Sequence, residues 1–123
     1  MNQELKDFRQ LRVWKKSRYL ILALYNVTAT FPREELYGLS NQIRSACVSI
    51  PAKLMEGCAS SSDTEMACNF KTAVDYSNKL ASHLRLAKNL GFLNSSRYVL
   101  LAKEINELKN MLTSLMQNLK INS

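Results

Sequence analysis

One histidine, two prolines, three glycines and three cysteines are all that the 123 residues hold of the side chains that mark metal sites, turn-rich folds and disulfide frameworks. With so little Gly and Pro and so many aliphatic residues, neither a disordered chain nor a turn-rich sandwich fits. Cys47, Cys58 and Cys68 are odd in number, form no CxxC pair and have only His83 as an imidazole partner, which leaves no structural zinc spacing. They read instead as small buried hydrophobes in a reducing compartment. No signal-peptide stretch opens the sequence, and no apolar run approaches the roughly 18 residues of a spanning helix, so the expectation is a soluble, cytoplasmic protein with no membrane partner. A Gly-rich phosphate loop, an HExxH pair, a calcium loop and zinc-finger spacing are all missing, and no cofactor or metal is expected.

The same shortage weighs against an enzyme. His83 has Lys79, Tyr76, Leu86 and Ala87 as helical neighbours, which do not make a nucleophile, base and orienting group. Glu56 has no paired carboxylate and, just before Gly57, reads as an acceptor that holds the end of a helix or its connection. Asp63 and Glu65 suit the first turn of a helix.

What the sequence does have is length, charge and period. A chain of this size suits one domain, residues 1–123, with short frayed termini. Seventeen Lys and Arg against ten Asp and Glu give a formal charge of +7, which favours polyanions as partners. Four of those seven net charges come from residues 1–18, where Lys6, Arg9, Arg12, Lys15, Lys16 and Arg18 face only Glu4 and Asp7.

Helical periodicity divides the chain into four segments. A first helix over about 4–30 gathers Trp14, Ser17, Ile21, Leu24, Tyr25 and Thr28 on an inward face and Arg9, Arg12, Lys15, Lys16 and Tyr19 on an outward one. Phe31-Pro32 ends it, because the residue before a proline is steered out of the α region. A second helix, about 33–58 with uncertain first turns at Gly38, carries Leu36, Leu39, Ile43, Cys47, Ile50 and Leu54 at spacings of three and four. Pro51 interrupts its hydrogen bonding at the carbonyl of Cys47, which predicts a bend around the neighbouring helices, with Ser45 and Ser49 near enough to serve the freed carbonyl. Ser62 and Glu65 have capping-box spacing and start a third helix that runs to about Leu90, with Met66, Phe70, Ala73, Val74, Ser77, Ala81 and Leu84 inward and Gly91 at its close. Asn94 or Ser95 caps the last helix, where Tyr98, Leu101, Ile105, Leu108, Leu112, Leu115 and Leu119 give the clearest period in the chain. Four helices of similar length with short connections predict an all-α, antiparallel up-down-up-down four-helix bundle with a proline-bent second helix.

Apolar residues remain outside those stripes: Val48, Met55, Leu86, Leu100 and Met111. With small residues at Ser45, Ser49 and Ala52 they suggest a second buried surface and a homo-oligomer.

The set Phe31-Pro32, Tyr37-Gly38-Leu39, Gln42-Ile43-Arg44, Ser49-Ile50-Pro51 and Glu56-Gly57 resembles the bacterial four-helix-bundle family encoded by intervening sequences within 23S ribosomal RNA genes. The likeness extends over about residues 8–120. It implies an up-down-up-down bundle, assembly as a homopentamer and no established enzymatic activity. Lys53 and Met55 stand where the family pattern has asparagine and a small residue. More distantly the chain resembles the accessory proteins of diversity-generating retroelements, which implies association with reverse transcriptase and nucleic acid. Two functional readings follow. One is a noncatalytic homo-oligomeric scaffold or interaction module with an unidentified protein partner. The other is a nucleic-acid-binding bundle that contacts RNA or DNA phosphates through Arg9, Arg12, Lys15 and Lys16, with Tyr19 stacking.

Overall fold

The computed structural model describes residues 11–119. They form four α-helices, α1 (Arg12–Thr28), α2 (Leu39–Cys58), α3 (Asp63–Asn89) and α4 (Ser95–Gln117), with a single 3-10 turn at Arg33–Glu35 and no strand among the described residues. Each helix packs on its neighbour in sequence, and α1 closes the ring on α4, its least extensive seam. This is the all-α bundle the periodicity predicts.

Residue chemistry explains the boundaries. At the end of α1 the Thr28 hydroxyl donates to the Leu24 carbonyl at 2.7 Å, and Phe31 turns inward to stack, tilted, on Phe92 with ring centroids 5.7 Å apart. Pro32 takes an extended conformation, φ −54° and ψ 141°, and launches the 3-10 turn through Glu35 N–H to Pro32 O at 2.9 Å. Here the expectation of a helix from residue 33 needs correction. Gly38 has φ −109° and ψ −113°, outside the helical region, so α2 begins only at Leu39, where Glu35 Oε1 accepts the Leu39 N–H at 3.3 Å. Leu36 consequently lies in the turn and is exposed instead of heading the α2 stripe.

From Leu39 the stripe behaves as its spacing requires: Leu39, Ile43, Cys47, Ile50 and Leu54 are all buried. The helix runs unbroken through Pro51, itself buried, and the Ser49 hydroxyl donates to the Ser45 carbonyl at 2.7 Å, not to that of Cys47. Near its end α2 crosses α3 closely. A Cβ placed on Gly57 would sit 2.5 Å from Phe70 Cε1, so only glycine admits the fully buried Phe70 ring.

Ser62 Oγ accepts the Glu65 N–H at 3.1 Å and caps α3, while the Glu65 carboxylate accepts from Ser61 at 3.5 Å, leaving the reciprocal half of the capping box unmade. Gly91, at φ 82°, closes α3 with the paired bonds of a Schellman turn, Phe92 N–H to Ala87 O and Gly91 N–H to Lys88 O, both 3.0 Å. Asn94 Oδ1 then caps α4 by accepting the Arg97 N–H at 2.8 Å. The α3 stripe is buried at Met66, Phe70, Ala73, Ser77 and Leu84, with Leu80 and Ala87 added and Val74 and Ala81 half-buried. In α4 Leu101, Ile105, Leu108 and Leu112 are buried and Tyr98 and Leu115 pack half-buried against them, while Leu119, expected in this helix, lies two residues beyond its end and is half-buried against the core.

The inward face of α1 is the larger correction. Val13, Ser17, Leu20, Leu24, Val27 and Thr28 are buried, whereas Trp14 and Ile21 are half-buried and Tyr25 is exposed. At about 100° per residue the true core line is turned by roughly 60° from the expected one. Val13, Leu20 and Val27 recur every seven residues and are buried in the core, and the two aromatics ride on the margin.

Candidate interaction surface

The turn of α1 decides where the basic residues go. Arg12 and Lys15 are exposed, Tyr19 is exposed beside them, and Arg9 lies outside the described residues. Lys16 is turned toward α4, where its Nζ pairs with Glu104 and, at 2.7 Å, with Glu107, leaving the side chain 17% exposed. Partial burial opposes the Lys16 charge, but the hydrogen bonds and charges of Glu104 and Glu107 outweigh it and raise its pKa. In return the hydrogen bond from Lys16, and then its charge, holds the Glu107 carboxyl below its ordinary value of 4.5. Together Arg12, Lys15, Lys16, Tyr19, Glu104, Glu107 and Met111 line an open groove of about 510 Å³ along the α1–α4 seam. The two acids make it a mixed surface. Arg18, exposed one turn beyond Lys15 and without an ion pair among the described residues, extends the outer positive edge instead.

The opposite seam, between α1 and α2, is built differently. The Arg44 guanidinium lies over the Tyr25 ring, 4.8 Å from its centroid, and its Nε donates to Thr28 Oγ1 at 2.8 Å. Val48 and Met55 follow Arg44 on the same side of α2, four and eleven residues on, and are 40% and 38% exposed. Leu22, 67% exposed, sits in the middle of the outward face of α1. Of the other apolar residues outside the expected stripes, Leu86 and Leu100 are exposed, whereas Met111 is half-buried against the core. Sequence periodicity placed Tyr25 inward because the α1 stripe was turned too far round, whereas Leu22 belonged to neither expected face and was passed over.

The remaining signature residues divide between frame and surface. Phe31, Leu39, Ile43, Ile50, Pro51 and Gly57 are buried, Gln42 is exposed, Ser49 is half-buried, and Tyr37 is 90% exposed. Glu56 accepts from Lys53 at 2.9 Å, a hydrogen bond that raises the Lys53 pKa, and its backbone carbonyl accepts the Ser60 hydroxyl at 2.9 Å, tying the end of α2 to the following loop. Burial pushes the Cys47 thiol to about 12 and the Cys58 thiol to about 11, which makes both unreactive hydrophobes. Cys68, expected to be buried with them, is exposed on α3, because it falls outside the Met66–Phe70–Ala73 stripe. His83 Nδ1 lies 2.7 Å from the Lys79 carbonyl of its own helix. No group of three or more His, Cys, Asp or Glu among the described residues is placed to hold a metal ion. No described helix is long and apolar enough to cross a membrane.

A four-helix bundle carrying the FP, YGL, QIR, SIP and EG elements, with a mixed seam on one side of α1 and an apolar one on the other, defines the class. Residues 9–114 match the family described as 23S rRNA-intervening sequence protein, and the chain belongs to that family. The bundle is similar to a crystal structure of a protein of unknown function from the S23 ribosomal protein family of Bacteroides thetaiotaomicron, with a TM-score of 0.79 at 19% identity over 86% of this chain and 99% of that one. No curated protein matches the chain.

Proposed function

We propose that the protein is a noncatalytic, homo-oligomeric helical scaffold of the cytosol, assembled through the outward faces of α1 and α2. The observation that carries this reading is the apolar margin of Leu22, Tyr25, Val48 and Met55, a group of large side chains that the bundle itself leaves in water. A homopentamer is the form that the family resemblance favours. Three free cysteines suit a reducing compartment. The test is a variant carrying Val48→Ser and Met55→Ser. Its far-UV helix signal should match the wild type while its mass falls toward that of one chain. An unchanged mass would remove the α2 margin from the interface.

A second reading is favoured by the exposed cations of α1. Arg12 and Lys15, continued by Arg18, form a phosphate-contacting edge, with Tyr19 available for stacking. Lys16 contributes less than sequence suggests, since two carboxylates already neutralise it. RNA and DNA affinities should then fall with salt, with a log–log slope of roughly 0.9 per phosphate contact for duplex, and Arg12→Ala with Lys15→Ala should weaken binding and flatten that slope. Binding that is absent, or indifferent to both substitutions, would remove this reading.

A further inference from the structure

The geometry points to a specific contact between copies of this chain, in which Arg44 of one copy receives Glu34 of the next. This deepens the scaffold reading and rests on it. Arg44 is held on two sides within its own chain. Tyr25 supports its planar face, and Thr28 Oγ1, whose hydrogen is already given to Leu24 O at 2.7 Å, accepts from Nε at 2.8 Å. Those contacts fix the guanidinium plane and leave both Nη groups without an acceptor among the described residues; no carboxylate pairs with this half-buried cation. An oriented guanidinium fork of this kind is matched by a planar oxyanion taken in two parallel hydrogen bonds.

No described carboxylate of the same chain supplies that oxyanion; a second copy can, and among the described residues it has one carboxylate to offer. Glu104 and Glu107 are committed to Lys16, Glu56 to Lys53 and Asp75 to Lys71; Glu35 accepts the Leu39 N–H and Glu65 the Ser61 hydroxyl. Asp63 is engaged as well, which leaves Glu34 as the described carboxylate with neither ion pair nor hydrogen bond. Glu34 is exposed on the 3-10 turn, in the same short stretch as exposed Leu36 and the 90% exposed Tyr37. Arg44 has Tyr25 and Val48 beside it, likewise exposed and apolar. The Arg44 surface sets one cation among apolar side chains, and the turn offers Glu34 as the opposite charge, between exposed Arg33 and half-buried Glu35 and just ahead of Leu36 and Tyr37. A buried charge pair ringed by aromatic and aliphatic residues is the arrangement in which Arg and Tyr anchor an interface. A phosphate is the less fitting occupant, because the Arg44 surroundings are apolar and not basic.

A charge-exchange series read by sedimentation tests this. Glu34→Arg and Arg44→Glu alone should each raise the concentration at which the assembly dissociates by about tenfold or more, and the variant carrying both should recover to within about threefold of the wild type. Glu34→Arg lies on an exposed turn and keeps the test sound where Arg44→Glu lowers the melting temperature. An oligomer whose dissociation is unmoved by Glu34→Arg, or not recovered by the double exchange, overturns the pairing while leaving the scaffold reading intact. A wild-type chain that stays monomeric overturns both. Loss of RNA binding in Arg44→Glu with the assembly unchanged would assign the fork to phosphate and reject the pairing.

Discussion

Gly57 shows how much one hydrogen atom decides in this bundle. Its missing side chain is the space occupied by Phe70, whose ring atoms stand 2.5 and 2.9 Å from where a Cβ would be. Gly57→Ala raises helix propensity and would stabilise an exposed helix, but here the clash dominates, because a fully buried ring has no free space to turn into. A net loss of about 1–3 kcal/mol in urea unfolding is expected, and a gain would show that α2 and α3 can separate cheaply. Gly91 gives a different case. Nothing lies near its hypothetical Cβ, yet its φ of 82° penalises any side chain, so Gly91→Ala should cost about 1 kcal/mol through backbone strain alone. Both glycines stand out in the sequence, the first as half of an EG element and the second beyond a long periodic run. Only Gly91 had a readable reason, since its role is local; that of Gly57 depends on a ring thirteen residues away.

At the level of helices, stripes were legible where they are dense. Leu101, Ile105, Leu108 and Leu112 left a single choice of inward face for α4, as Ile43, Cys47, Ile50 and Leu54 did for α2. In α1 the apolar residues Val13, Trp14, Leu20, Ile21, Leu24, Tyr25 and Val27 spread over about 160° of the circumference, wider than the face the bundle buries, so composition alone did not fix the rotation. Packing fixed it, by placing branched and aliphatic side chains inside and leaving the aromatics at the rim. That rotation also brings Lys16 to α4, and the resulting ion pair has a defined pH window. Lys16 is raised above 10.5 on folding, so its contribution is present below that value and is lost as pH climbs through the raised pKa. Glu107 is lowered below 4.5, so its contribution is present above 4.5 and disappears as pH falls through the lowered pKa. The Glu107→Gln variant should be less stable than wild type at neutral pH, and the gap should close in acid below 4.5. A gap that persists at pH 2 would mean that Glu107 acts through packing and not through charge.

For the molecule as a whole, the fold was readable because four helices and short connections leave few arrangements, whereas the interaction surface was not. Periodicity reports which residues a chain buries in itself; Tyr25 becomes visible as surface only after α1 has been rotated into place, and Tyr37 only once α2 is seen to begin at Leu39. Arg44 gave no signal of its own in the sequence beyond membership of the QIR element, since its orientation comes from two residues of α1.

The most direct measurement is the solution mass of the wild-type chain by sedimentation equilibrium over a wide dilution series. Assembly through the outward faces of α1 and α2 predicts a discrete multiple of 14.0 kDa that dissociates on dilution. A single 14.0 kDa species at every concentration, with Leu22, Val48 and Met55 in water throughout, would contradict it.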